Sequence, residues 1–188
     1  MRSRFPNAAA ATAAFLFAAA AGAADPNLCV ACHGDGGNSA NPEVPSISQQ
    51  PAQFLSTALF MYREGYRKEA QMAPMAAKLS NAEMNELAAY FAKQAAAAPR
   101  HQTSAANLKD GPAAVQKFNC AQCHGPRLLG LQHIPRLAGQ QFQYLRAQLR
   151  AFKAGKRGDL DGKMSESAQP LSDRDIEVLA DYLAGLVP

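Results

Sequence analysis

All four cysteines of the chain fall into two copies of one short pattern, in which two cysteines three positions apart are followed directly by a histidine. The copies read CVACH at 29–33 and CAQCH at 120–124. In such a pentapeptide the two thiols can add to the vinyl groups of a haem while the histidine reaches the haem iron. The pattern therefore predicts two covalently bound haems c.

Two other interpretations of paired cysteines fit less well. A redox-active C-x-x-C pair would lie between a strand and a helix and needs no histidine, a context that neither copy has. A structural zinc site would bring its pairs within about 15 to 20 residues of each other, whereas the two pairs here are 91 positions apart. The haem interpretation accounts for every cysteine. Its residues are Cys29, Cys32, Cys120 and Cys123 for attachment, with His33 and His124 as iron ligands.

The two motifs belong to a longer internal repeat. The offset between matching residues is 91 at the cysteines and stays between 90 and 92 as far as the segments LAAY at 87–90 and LADY at 179–182. A preserved order with a nearly constant offset indicates a duplicated domain. We expect a first domain over residues 25–100 and a second over 101–188, with an alanine-, proline- and polar-rich linker at about 95–108.

The sequence patterns of the two halves predict the same set of helices. One helix is expected over about 51–64 and again over about 140–154, each followed by a glycine suited to a C-cap. The last helix of each half begins after Ser80 or Ser172, with an acidic residue three positions on that completes a capping box. Because no segment alternates as a strand does, the expected fold class is all-α. The predicted buried faces of the last helices are Met84, Leu87, Ala88 and Phe91, and Ile176, Leu179, Ala180 and Leu183.

An iron held by one histidine either takes a sixth ligand or keeps an open position. Beyond its haem motif the second half contains a single methionine, Met164, seven residues before Leu171. The same count back from the matching Leu79 leads to Met72, with Met75 as the alternative. A thioether favours ferrous iron and fills the coordination sphere. Met72 and Met164 as axial ligands predict an electron carrier with no small-molecule substrate, and not an enzyme.

The N-terminus has the features of an export signal. Arg2 and Arg4 precede an alanine-rich apolar run at 8–21, and small residues follow up to Ala24. Cleavage after Ala23 or Ala24 would fit the small-residue rule, and we expect residues 1–24 to direct the protein to the periplasm. The alternative is an uncleaved anchor, since the segment could just cover a bilayer if it were stretched. Peripheral association with the membrane is compatible with both.

The charge distribution limits the class of partner. The formal net charge is only +4, which gives no case for nucleic-acid binding. The second half carries the positive excess, and Arg146, Arg150, Lys153 and Arg157 fall on one face of a predicted helix. We expect this face to steer an acidic redox partner toward the second haem; an ordinary solvated helix face is the alternative.

Several of these features together resemble a known family. The paired haem motifs, the PRLAGQ stretch at 135–140, the Met-x6-Leu-Ser spacing and the LAAY and LADY segments resemble the di-haem class I cytochromes c of the cytochrome c4 type. The resemblance implies two tandem class I cytochrome c domains with their haem edges close. It implies periplasmic electron transfer toward a terminal oxidase or another acceptor. It also implies that the carbonyls of Pro45 and Pro135 accept a hydrogen bond from the ligating imidazoles.

The first domain departs from this family pattern. A helix is predicted at 111–118 before the second haem motif, whereas only residues 25–28 precede the first. Without such a helix the first haem is expected to be more exposed or to be covered by a partner. The alternative function is therefore the cytochrome subunit of a dehydrogenase complex, such as flavin-dependent sulfide dehydrogenase. Redox partner proteins are expected in both cases.

Overall fold

The computed structural model describes residues 24–188, so the predicted signal peptide lies outside the described residues except for Ala24. Within this range the chain is helical, and its β-structure is limited to a single bridge between Leu131 and Ile134. The expected all-α fold class is confirmed. None of the helices between residues 24 and 188 is both long and apolar enough to cross a membrane.

The helices form two sets that follow the same order. The first set comprises α1 (Asn27–His33), a 3₁₀ turn (Asp35–Gly37), α2 (Ala52–Arg63), α3 (Met72–Ala76) and α4 (Asn81–Ala92). The second set comprises α5 (Ala105–Lys117), α6 (Cys120–His124), α7 (Phe142–Lys153), α8 (Lys163–Ala168) and α9 (Asp173–Gly185). Four helices of each set correspond, and α5 is the additional one.

The last helix of each domain starts where the local sequence predicted. The Ser80 hydroxyl accepts a hydrogen bond from the backbone N–H of Glu83, whose carboxylate accepts one from the backbone N–H of Ser80 at 2.8 Å. Ser172 and Asp175 form the same reciprocal pair at the start of α9. Each pair satisfies two N–H groups that a helix start leaves without partners. The apolar faces predicted for α4 and α9 are buried in full.

The two domains have cores of different size. In the second domain α9 packs against both α5 and α7, and the buried cluster contains fourteen residues centred on Ile176 and Leu179. In the first domain α2 packs against α4, and among residues 24–188 the corresponding cluster contains Leu55, Leu87, Ala88 and Phe91. The first domain therefore has less apolar burial of its own to offset the entropy of folding.

Helix α5 begins earlier than the predicted 111–118. The hydroxyl of Ser104 accepts the backbone N–H of Asn107 and caps the helix, so the linker predicted at about 95–108 ends at residue 104. The sequence prediction began late because Gly111 and Pro112 interrupt the helical pattern. Gly111 has a packing role: a Cβ built on it would lie 2.2 Å from the Cγ atom of Tyr182 on α9.

The linker is bound to the second domain through one carboxylate on α9. The Asp181 carboxylate accepts hydrogen bonds from the backbone N–H and hydroxyl of Ser104 and from the amide of Asn107 at 2.8 Å. His101 pairs with the same carboxylate, and its ring stacks on Phe142 with centroids 4.9 Å apart. Burial opposes ionisation of Asp181, but these hydrogen bonds prevail and lower its pKa. The end of the linker is thus held in place along α9.

The two domains meet through a reciprocal pair of glutamines. The Gln50 amide accepts from the backbone N–H of Arg136 at 2.9 Å and donates to its carbonyl at 3.1 Å. Gln140, the counterpart of Gln50 at an offset of 90, makes the same two bonds to the backbone of Ser46, both at 2.8 Å. All four residues are buried. The repeat in sequence thus becomes an approximate twofold symmetry at the interface.

We expect the substitutions Gln50→Ala and Gln140→Ala to loosen this interface. Each leaves a backbone N–H and a backbone C=O without partners, which costs about 1–3 kcal/mol per unsatisfied group if the groups remain buried. Small-angle scattering of the double variant should show a more extended particle, and thermal unfolding should separate into two transitions. The control is Gln53→Ala, an exposed residue on α2. An unchanged scattering curve for the double variant would show that other contacts hold the domains together.

Candidate haem sites

Each haem motif lies on a short helix that ends at its histidine. Cys29 and Cys32 lie on α1, and Cys120 and Cys123 lie on α6. The next residue is a glycine with positive φ, +79° at Gly34 and +81° at Gly125. This backbone conformation disfavours side chains. At Gly34 a Cβ would also lie 2.2 Å from the carbonyl oxygen of Asn38, so the chain can turn sharply there only with glycine.

The structure brings each histidine to the proline expected from the sequence. The Nδ1 atom of His33 lies 2.8 Å from the carbonyl oxygen of Pro45, and that of His124 lies 2.8 Å from the carbonyl oxygen of Pro135. A carbonyl can only accept, so Nδ1 carries the proton and Nε2 keeps its lone pair. Burial lowers the pKa of both histidines, with an opposing contribution from these hydrogen bonds. Both rings are therefore held neutral with one nitrogen free for iron.

The cysteines have the environment of structural and not of catalytic thiols. All four are free of disulfide bonds. Burial raises the pKa of Cys29 and of Cys120, which is the opposite of the shift that activates a redox-catalytic thiol. Cys32 and Cys123, three residues further on, are exposed. Two unpaired thiols next to a neutral imidazole fit covalent attachment and axial ligation of a haem.

The two candidate methionines occupy equivalent places. Met72 is the first residue of α3 and Met164 is the second of α8, and both are half-buried. Four residues after each comes a fully buried alanine, Ala76 and Ala168, which fixes the same register in both domains. Met75 is 42 % exposed. The register supports Met72 over Met75, and coordination by Met72 and Met164 stays a prediction.

A carboxylate that sequence reasoning missed fixes the turn at Met164. The Asp159 side chain accepts the backbone N–H of Met164 at 2.7 Å, and it accepts both the N–H and the hydroxyl of Ser165. At the matching turn of the first domain the stabilising hydrogen bond is between backbone groups: the N–H of Ala73 donates to the carbonyl of Glu69 at 3.0 Å. No spacing in the sequence indicates this role, because the acceptor lies five residues from the methionine in an irregular loop.

The basic helix face predicted on α7 is formed by three of its four residues and carries an acidic neighbour. Glu177 on α9 pairs with Arg150 at 2.8 Å and with Arg146 at 3.6 Å. Lys153 remains exposed at the end of the helix. Arg157 instead turns inward, where its guanidinium lies over the Phe152 ring at 4.4 Å. Only Arg157, which lies beyond the end of α7, departs from the predicted face. One carboxylate balances one of the two arginines, so Arg146, Arg150 and Lys153 together keep a positive excess, and steering of an acidic partner by this face stays a prediction.

Arg157 joins a polar cluster that spans the two domains. Arg67 donates to the hydroxyl of Tyr144 at 2.8 Å and lies over the ring of Tyr62 at 4.5 Å. Gln148 accepts a hydrogen bond from Arg157. Burial disfavours the ionised form of Tyr144, but the two guanidiniums outweigh it and lower its pKa, whereas burial raises the pKa of Tyr62 to about 12. This positively charged cluster adds a second set of polar contacts between the two domains.

Comparison with known proteins assigns the chain to a family. The family model for cytochrome c matches it twice, over residues 17–95 and 108–186. Cytochrome c4 of Pseudomonas aeruginosa is 33% identical, with 89% of this chain and 88% of that protein covered. The thiosulfate dehydrogenase electron acceptor of Thiomonas intermedia is 34% identical, with 83% and 77% covered. The crystal structure of reduced recombinant cytochrome c4 from Pseudomonas stutzeri superimposes with a TM-score of 0.78 at 31% identity, covering 85% of this chain and 93% of that one. The chain therefore belongs to the cytochrome c family, as a di-haem electron-transfer protein of the cytochrome c4 type with two covalently bound haems c.

Proposed function

We propose that this protein is a periplasmic carrier that takes single electrons from a dehydrogenase and passes them toward a terminal oxidase or another acceptor. The observation that carries the proposal is that both domains place the same kinds of residue at the same positions of the haem site. In each domain a proline carbonyl holds Nδ1 of the ligating histidine at 2.8 Å, and a methionine lies at the same register on a short helix. Two sites of one kind, each with a histidine and a methionine at matching positions, suit electron transfer better than substrate binding.

The chain's residues have distinct tasks in this proposal. Cys29, Cys32, Cys120 and Cys123 attach the two haems, while His33 and His124 ligate the irons. Met72 and Met164 fill the sixth positions. When bound, each haem supplies a one-electron change at its iron. The proline hydrogen bonds fix the imidazole rings, so that little rearrangement accompanies the change of charge.

The relatives support a dehydrogenase as the electron donor. The protein of Thiomonas intermedia is by name the electron acceptor of thiosulfate dehydrogenase, and we carry this role over to the present chain. The test uses oxidised holoprotein mixed with thiosulfate and a catalytic amount of purified thiosulfate dehydrogenase. Both haems should become reduced, as followed by the visible spectrum, with two electrons taken up per chain. Failure of this reaction would exclude that donor, and binding of carbon monoxide by both haems of the wild-type protein would contradict the carrier role itself.

A second candidate function is that of a bound subunit of a dehydrogenase, for example one that contains flavin. The outer face of α4 supports it. Tyr90 on this face is 41 % exposed, and none of the helices described between residues 24 and 188 covers it as α5 covers α9. Purification of the native protein distinguishes the two functions. A flavoprotein that co-purifies in a one-to-one ratio would favour the subunit, and a free di-haem protein would favour the carrier.

A further inference from the structure

The first described residue is already part of the folded first domain. The backbone nitrogen of Ala24 donates a hydrogen bond to the Glu86 carboxylate on α4 at 3.1 Å. The Ala24 side chain packs against the small core that includes Leu87 and Phe91. The chain then leads into α1 through Asp25, whose carboxylate accepts the backbone N–H of Asn27 at 3.0 Å.

Glu86 stands where the second domain has an apolar residue. At the offset of 92 that relates α4 to α9, Glu86 matches Val178 and Tyr90 matches Tyr182. Val178 belongs to the same buried cluster as Ala114 of α5. Glu86 is exposed. A helix that covered α4 as α5 covers α9 would bury the Glu86 carboxylate. Burial of an unpaired charge is costly.

The sequence ahead of Ala24 also does not match α5 where the fit is tightest. At the offset of 91 that relates the haem motifs, Ala20 stands at the position of Gly111. In the second domain a Cβ at Gly111 would lie 2.2 Å from the ring of Tyr182, and the first domain keeps a tyrosine there, Tyr90. The glycine that allows α5 to approach Tyr182 therefore has no counterpart in the sequence ahead of Ala24.

We propose that the mature protein begins at Ala24 and that its new α-amino group is held by the carboxylate of Glu86. In this processing step an export-signal protease adds water across the peptide bond between Ala23 and Ala24. The carboxylate stays on Ala23 and leaves with the signal, and the amine stays on Ala24. Ala21 and Ala23 are then the small residues at the third and first positions before the cut.

Cleavage at this bond replaces a neutral peptide N–H donor by a charged one, so that the hydrogen bond to the Glu86 carboxylate becomes an ion pair. An α-amino group has an ordinary pKa of about 7.7–8.0, so at neutral pH it is mostly protonated and binds a carboxylate more strongly than a peptide N–H does. Cleavage one residue later would remove Ala24, and with it both the contact with Glu86 and the packing on the core. Cleavage before Ala24 keeps both of these contacts.

The first test is the intact mass and N-terminal sequence of the holoprotein purified from the periplasm. A chain that begins at Ala24 is expected. A chain that begins at Asp25, or one that retains residues 1–23, would overturn the proposal.

The second test separates the role of Glu86 from that of the cut. Glu86→Gln keeps the size of the side chain and removes its charge, and Glu43→Gln is the control at an exposed loop position. An amine-selective ester at pH 7 should label the α-amino group of Glu86→Gln severalfold faster than that of the wild type, because the free amine is no longer held protonated by a carboxylate. Glu43→Gln should label at the wild-type rate. Equal rates for all three proteins would overturn the role of Glu86 even if the chain begins at Ala24.

Discussion

A protein in which Cys29 and Cys32 are both replaced by alanine will fail to fold its first domain. In the part of the chain that the structure describes, the buried cluster of that domain consists of Leu55, Leu87, Ala88 and Phe91. The apolar surface that so small a core removes from water does not offset the conformational entropy of its residues, so a domain of this size needs a bound group to pack against. Loss of the attached haem should bring the free energy of unfolding of this domain close to zero.

The matched variant replaces Cys120 and Cys123 by alanine. The second domain has fourteen residues in its buried cluster and gains further contacts from α5, so it should keep more helix without its haem than the first domain does. Far-ultraviolet circular dichroism and thermal melts of both variants, each compared with the wild-type holoprotein, give the measurement. A cooperative melt of a haem-free first domain would show that its helices are sufficient by themselves.

Replacing Met164 by alanine will remove about half of the far-red charge-transfer absorption that sulfur-ligated ferric haem gives, and will open one haem to carbon monoxide. The reason is that a thioether is the soft ligand that fills the sixth position of one of two irons. Met72→Ala should do the same at the other haem. The reduction potential of the altered haem should fall in each case, because His/Met ligation favours ferrous iron.

Two further variants make this prediction specific. Met75→Ala should leave the absorption unchanged, since Met75 is exposed and out of register with Met164. Asp159→Asn should have an intermediate effect at the second haem only, because the carboxylate accepts the backbone N–H of Met164 and holds its turn. Loss of the band in Met75→Ala but not in Met72→Ala would move the first axial ligand to Met75.

The parts of the site that lie close together in sequence were predictable from it. The C-x-x-C-H motifs, the capping boxes at Ser80 and Ser172 and the apolar faces of α4 and α9 depend on residues within two helical turns of each other. The contacts of His33 with Pro45 and of His124 with Pro135 span only 11 or 12 residues and were implied by the family resemblance. The repeat added the register by which Met72 is matched to Met164.

The sequence by itself determined the number of domains, the kind of cofactor and the helical class, because spacing and periodicity act through neighbours along the chain. Only the tertiary structure decided how charges and amides pair across the molecule. Gln140 meets Ser46 over 94 positions, and Glu177 pairs with Arg150 over 27 positions. A polar side chain has many potential partners, and the one it meets depends on how whole helices pack. For this reason the pairing of the α7 arginines with Glu177, the inward turn of Arg157, the interface glutamines and the contact of Ala24 with Glu86 emerged only from the folded chain.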